Sequence, residues 1–335
     1  MPHRVVLSID GGGIRGLIPA LVVAHLEAMT KRPACELFDL IVGTSTGGIL
    51  ALGLALGNRA PSITRPDASA LASARPATDD PCEFRAAELA DLYIEHGRSI
   101  FTRSLWRGIR SAGGSLDETY DHRPLEALLS DYFGDRCLGD LVTPCMVTAY
   151  DIAHRETLFM KSWQSRDVAL LCRAAARATS AAPAYFEPAE LEASTRQRAL
   201  IDGGVFINSP AVSAYAEALR LFPDHELTVV SLGTGELTRP IAISDARNWG
   251  KIGWVLPLLD CMFDGHSKAV DQQMRAFLGD RYFRLQATLD IASDDLDDAS
   301  ESNLAALSAV AARLIEDNET TLKKIAERLN SPRYD

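Results

Sequence analysis

The sequence predicts an α/β protein built on a mainly parallel sheet with helices on its faces, and three observations carry that expectation. Short apolar runs at 5–9, 38–42 and 227–232 have the length of strands. Each ends in a glycine-bearing turn: Gly11-Gly12-Gly13, Gly43-Thr44-Ser45-Thr46-Gly47 and Gly233-Thr234-Gly235. The first two turns run straight into stretches whose apolar residues recur at helical spacing. Strand, loop and helix in repetition mark parallel strands joined by crossovers, which need cover on both faces of the sheet.

Taken in order, Val5-Val6-Leu7-Ser8-Ile9 opens the sheet and 17–29 forms the first helix. A second strand, 38–42, leads through the serine-bearing turn into Ile49-Leu50-Ala51-Leu52, which reads as helix. Residues 59–83 change character to Pro, Ala, Ser and Asp, as an exposed insertion would. Helical periodicity returns at 86–101 and again at 124–133. Between them, 102–121 sets Trp106 among Arg103, Arg107 and Arg110 ahead of Gly113-Gly114, a composition that fits either a lid or a surface loop. Strands are expected at 145–152, 157–160 and 199–201, and helices at 168–179 and 211–221. An apolar stretch at 249–263, which with Trp106 fits a lipid-facing mouth or, equally, core packing, is followed by an edge strand at 282–285, an acidic loop at 294–298 and one or two amphipathic helices at 303–329. No repeat and no sharp break in composition divides it, so one domain spanning 1–335 is expected, with a motif-bearing core at 4–235 and a closing segment at 236–335.

The 335 residues are 47% hydrophobic and 24% charged, ordinary for a globular enzyme. A net charge of −11 argues against nucleic acid as a main partner and against docking on anionic lipid through bulk charge. It leaves contact through a local apolar patch open. The six cysteines are scattered with no Cys-x-x-Cys pair, so they read as reduced thiols, without disulfides or zinc. The run 41–57 is interrupted by Thr, Ser and Gly and falls short of the roughly 20 apolar residues of a membrane span. A cytoplasmic protein with no cofactor and no metal is expected.

Chemistry is expected where the glycine turns meet. Ser45 lies in Gly-x-Ser-x-Gly between a strand and a helix, the setting that lifts a serine clear of a sheet and aims a helix N-terminus at it. Gly11-Gly12-Gly13-Ile14-Arg15-Gly16 contains Gly-x-Gly-x-x-Gly and could cradle a dinucleotide. The acid that a dinucleotide's ribose needs is absent, because the second strand ends in Gly43-Thr44-Ser45. The other reading has Gly11, Gly12 and Gly13 offering N–H groups to an oxyanion, with Arg15 adding positive potential. Asp202-Gly203-Gly204 follows a third strand. For a base, a Ser–Asp–His order would need His225 or His266, whereas a Ser45–Asp202 dyad needs no histidine. A carboxylate base must have its pKa raised by desolvation, with preorganised donors supplying much of the catalysis.

In their order, Asp10-Gly-Gly-Gly-Ile-Arg-Gly16, Gly43-Thr-Ser-Thr-Gly47 and Asp202-Gly-Gly204 resemble the patatin-like phospholipases. Ala178-Thr-Ser-Ala-Ala-Pro-Ala-Tyr-Phe186 and Ser231-Leu-Gly-Thr-Gly235 look like secondary signatures of that family. The resemblance implies a three-layer α/β/α fold, Ser45 as nucleophile and Asp202 as base. It also implies an oxyanion hole of Gly11, Gly12 and Gly13 assisted by Arg15. The implied substrate is an acyl ester of phospholipid met at a membrane surface, cleaved by a phospholipase A or lysophospholipase reaction. An acyltransferase would use the same acyl-enzyme. Some similar bacterial members are antiphage effectors switched on by cyclic nucleotides, so a cyclic nucleotide activator is carried as an alternative, although the chain holds no recognisable phosphate-binding signature for one.

Overall fold

Eight strands form one sheet in this computed structural model, which describes residues 2–58, 81–101, 120–193, 196–236 and 240–331. The strands are β1 (His3–Ile9), β2 (Leu40–Gly43), β3 (Cys145–Asp151), β4 (Glu156–Lys161), β5 (Ala189–Ala193), β6 (Arg196–Asp202), β7 (Glu226–Leu232) and β8 (Tyr282–Leu285). The longer helices are α1 (Leu17–Thr30), α2 (Thr46–Ala55), α3 (Ala86–Ile100), α4 (Arg123–Phe133) and α5 (Cys172–Thr179). They continue with α6 (Ala211–Leu221), α7 (Val255–Leu278), α8 (Glu301–Asp317) and α9 (Glu319–Asn330). Strand order is β5-β6-β3-β2-β1-β7-β8, with β4 on the other edge of β3. The run β3-β2-β1-β7-β8 is parallel, while β4, β5 and β6 add antiparallel pairings.

Side-chain alternation along the strands builds two cores. Val5, Leu7 and Ile9 point to one face, where α1 to α5, α8 and α9 pack. Val6, Leu40, Val42 and Met146 point to the other, under α6 and the second half of α7. Strands apolar on both faces thus lie inside a three-layer α/β/α arrangement. The stretch Gly13–Thr30 is apolar and long enough to cross a membrane by length and composition, yet 67% of it is buried here, and it packs against α3 and α8.

The register around β3 decides where the site falls. β4 occupies one edge of β3 along its length, pairing Met146 with Lys161 and Asp151 with Glu156. The opposite edge takes β2 first, ending at Gly43 beside Val147. It then takes β6 antiparallel, ending at Asp202 beside Ala149. The C-terminal ends of β2 and β6 therefore meet head to head, with only Thr148 between their partners on β3. Two loops far apart in the chain are brought together by hydrogen-bond register alone.

Several expectations are corrected. Cys35 and Cys82 are joined by a disulfide, their Cα atoms 6.3 Å apart. The Gly57–Cys82 bridge brings the chain back beside the short turn Ala34–Leu37, a proximity that cysteine spacing does not encode. The helix expected at 168–179 begins only at Cys172, because Leu171 is still extended. Strand β5 was not expected. Of the segments 59–83 and 102–121, residues 59–80 and 102–119, Trp106 included, lie outside the described residues.

Candidate active site

Ser45 sits where β2 turns into α2, with φ 56° and ψ −128°, a conformation that non-glycine residues adopt only when the surroundings enforce it. The enforcement is visible. A Cβ on Gly43 would stand 1.9 Å from the Gly47 carbonyl oxygen, and one on Gly47 would stand 2.4 Å from that of Ile9. The Ser45 N–H donates to Thr179 Oγ1 at 3.0 Å. Thr44 Oγ1 donates to the Ile207 carbonyl and accepts from Thr148 Oγ1, both at 2.8 Å. The turn is pinned from α5, β3 and the loop after Asp202, and Ser45 alone among residues 41–50 is partly exposed.

The Asp202 carboxyl lines the same cavity as Ser45, whose hydroxyl favours its charged form. Asp202 is buried, and its Oδ1 accepts the Gly204 N–H at 2.7 Å. Burial raises its pKa from 3.8 to about 7, against the Ser45 hydroxyl and the Gly204 N–H, which favour the charged form. Neither histidine considered as a base reaches it. His225 lies at the entry to β7, against the Phe222 ring and at the opposite end of the sheet from Ser45. His266 accepts the Ser209 N–H through Nδ1 and faces Asp10.

The glycine loop closes the third side. The Gly11 N–H donates to the Asn208 carbonyl at 3.0 Å, so it is not free for an oxyanion, and the expectation for Gly11 is corrected. Its lack of a side chain matters instead, since a Cβ there would come within 2.5 Å of Asn208 Oδ1 and 3.1 Å of Ser45 Cβ. Thr234 Oγ1 donates to the Gly11 carbonyl at 2.7 Å, and Arg15 Nε donates to the Gly12 carbonyl at 3.3 Å. In a trans peptide the N–H points opposite to the preceding carbonyl. Anchoring those two carbonyls therefore aims the Gly12 and Gly13 N–H groups the other way. Both glycines line the cavity with Ser45, and neither N–H has an acceptor among the described residues. Arg15 is buried; desolvation lowers its pKa to about 10, which still leaves it charged near neutral pH. Its Nη1 donates to the Asp294 carbonyl, and the Ile14 N–H donates to that of Leu296.

Beneath the loop, Asp10 and Arg284 form a buried ion pair at 2.6 Å, which Ser231 and Ser267 complete. From Ser45 and Asp202 a narrow cavity runs between α3 and α4, walled by Ile14, Leu92, Ile100, Leu125, Leu128 and Phe186. Phe263 of α7 and Leu296 also line it. Sequence reasoning gave no site role to Thr179, Asn208 or Leu296, while Phe263 closes the apolar stretch 249–263. Thr179 and Leu296 lay within stretches already noted, 178–186 and 294–298, and Asn208 in none.

A strained serine between strand and helix, a buried carboxyl lining the same cavity and two aimed N–H groups beside an apolar channel form a constellation suited to attack on an acyl carbonyl. Comparison agrees with that class. A family model described as patatin-like phospholipase matches residues 7–215. Patatin-like protein 2 of Oryza sativa subsp. indica is 30% identical, covering 93% of this chain and 84% of its own. Patatin-04/09 of Solanum tuberosum is 28% identical, covering 98% and 86%. A cGAMP-activated phospholipase of Pseudomonas aeruginosa is 32% identical, covering 88% and 82%. The chain belongs to the patatin-like phospholipase family, and that membership supports lipid acyl hydrolase activity.

Proposed function

We propose that the chain is a serine acyl hydrolase of the phospholipase A type, acting on phospholipid presented at a membrane surface. Ser45 Oγ attacks the ester carbonyl while Asp202 takes its proton, and the N–H groups of Gly12 and Gly13 hold the tetrahedral oxyanion. Arg15 acts through the Gly12 carbonyl, fixing the Gly13 N–H, and adds positive potential. Asp202 then returns the proton to the departing alcohol and activates the water that releases the fatty acid. The acyl chain occupies the apolar channel between α3 and α4. The observation that carries this reading is the convergence of Ser45, the buried Asp202 carboxyl and the Gly12–Gly13 backbone on one cavity. The test is fatty-acid release from phosphatidylcholine vesicles by wild type, Ser45→Ala and Asp202→Ala, with a fluorophosphonate used to map the labelled residue. Full activity in either variant, or label away from Ser45, overturns the dyad.

The relative named as cGAMP-activated favours a second reading, in which a cyclic nucleotide switches hydrolysis on. Activity that is negligible until cGAMP is added would establish it; turnover indifferent to the nucleotide would remove it.

A further inference from the structure

Helix α7 carries two apolar stripes on opposite sides. At about 100° per residue, Phe263, Val270 and Met274 share one side; all three are buried. Phe263 lies against Gly204 and lines the cavity that holds Ser45. Trp254, Leu258 and Met262, four residues apart in succession, share the other side and are 39%, 49% and 40% exposed. The outer stripe stops there. Further along the same side come Ala269, Gln272, Gln273 and Ala276, small or polar. At the far end of α7 Phe277 is exposed too, but its ring stacks on Tyr215, whereas the stripe lies on the half of the helix that carries Phe263, and Ile243, just upstream, is 70% exposed. A long run of helix has no internal reason to be apolar on both sides, and a contiguous exposed apolar patch marks an interaction surface.

We infer that the Trp254–Leu258–Met262 stripe is the surface by which the protein docks on a lipid bilayer. This rests on the phospholipase reading above and adds to it where the membrane is met. Continuity carries it: the same two turns of α7 present Phe263 to the catalytic cavity and the stripe to solvent, so a bilayer seated on the stripe lies one helix diameter from the channel. Trp254, packed edge-on against Trp249 at 5.1 Å between ring centroids, supplies the amphipathic ring that favours a headgroup interface. Charge selects the kind of bilayer. The chain carries −11 overall, so the protein fits zwitterionic lipid and is repelled by anionic lipid.

The test is flotation with phosphatidylcholine vesicles of Ser45→Ala protein, with and without the double change Leu258→Glu, Met262→Glu. Binding should fall at least tenfold in the double variant, and the parent should bind vesicles rich in phosphatidylglycerol more weakly. Brominated lipid should quench the tryptophan emission of the parent, and Trp254→Phe should remove most of that quenching. On an active Ser45 background, hydrolysis of vesicle lipid should drop in parallel, while turnover of dissolved 4-nitrophenyl butyrate stays within about twofold. Unchanged vesicle binding overturns the inference, as does a shift in oligomeric state as the sole effect, which would make the stripe a contact between copies. Because flotation needs no catalysis, stripe-dependent binding by a protein that hydrolyses nothing would sink the phospholipase reading and leave the docking surface standing.

Discussion

Asp202→Asn should abolish turnover and, above neutral pH, make the protein more stable than wild type. The asparagine amide keeps the shape of the carboxyl, and its oxygen can still accept from the Gly204 N–H. What it removes is a buried charge. The Asp202 pKa rises from 3.8 in the open chain to about 7 in the fold. At about 1.36 kcal/mol per unit, the ionised carboxyl costs the native state on the order of 4 kcal/mol. Below about pH 4 both folded and unfolded chains hold the proton and the cost is absent. Between about pH 4 and pH 7 only the folded chain holds it, so this group's contribution to stability declines as pH climbs; above 7 the loss is complete. Urea unfolding of both proteins from about pH 5 to about pH 9 should show a gap that opens with rising pH and then levels off. The wild-type kcat/KM should rise over the same range, with a midpoint near 7, as the base ionises. A gap that is the same at every pH, or an active Asp202→Asn, would refute the reasoning.

Four further outcomes follow from contacts described above. Gly43→Ala places a methyl 1.9 Å from the Gly47 carbonyl oxygen and should yield little folded protein on expression. Thr179→Val strands the Ser45 N–H without an acceptor, a loss of about 1–3 kcal/mol; kcat should fall about tenfold with KM unchanged. Arg284→Met leaves the Asp10 carboxylate buried and unpaired, lowering stability by about 3–5 kcal/mol in urea unfolding, and Arg284→Lys should recover part of it. Reducing the Cys35–Cys82 bond, which spans 47 residues, should cost up to about 4 kcal/mol in thermal melts. An unchanged Tm, with the same thiol titre before and after reduction, would count against the bond.

The strands that carry the site were legible because burial on both faces leaves them no polar alternation to blur: β1, β2 and β7 fall almost where their apolar runs do. Ser45, Asp202 and the glycine loop were legible because sharp turns at strand ends admit few residue types. Strand β5 was not, since Ala189-Glu-Leu-Glu-Ala193 is composed of good helix formers and is held extended only by pairing with β6. The engagement of the Gly11 N–H was invisible because its acceptor, the Asn208 carbonyl, belongs to a loop nearly two hundred residues away. The disulfide escaped for the same reason, as cysteine spacing says nothing about chain return.

The family model ends at residue 215, yet much of what steadies the glycine loop lies beyond it. Arg284 neutralises Asp10, Thr234 draws back the Gly11 carbonyl, Asp294 anchors Arg15, and Leu296 bonds to Ile14 while its backbone would block any side chain at Gly13. A lineage can therefore drift in its last hundred residues and, through those struts alone, retune how strongly two amides grip a forming negative charge. Relatives with identical motifs need not share one catalytic speed, and swapping tails between them would move it without altering a single reacting atom.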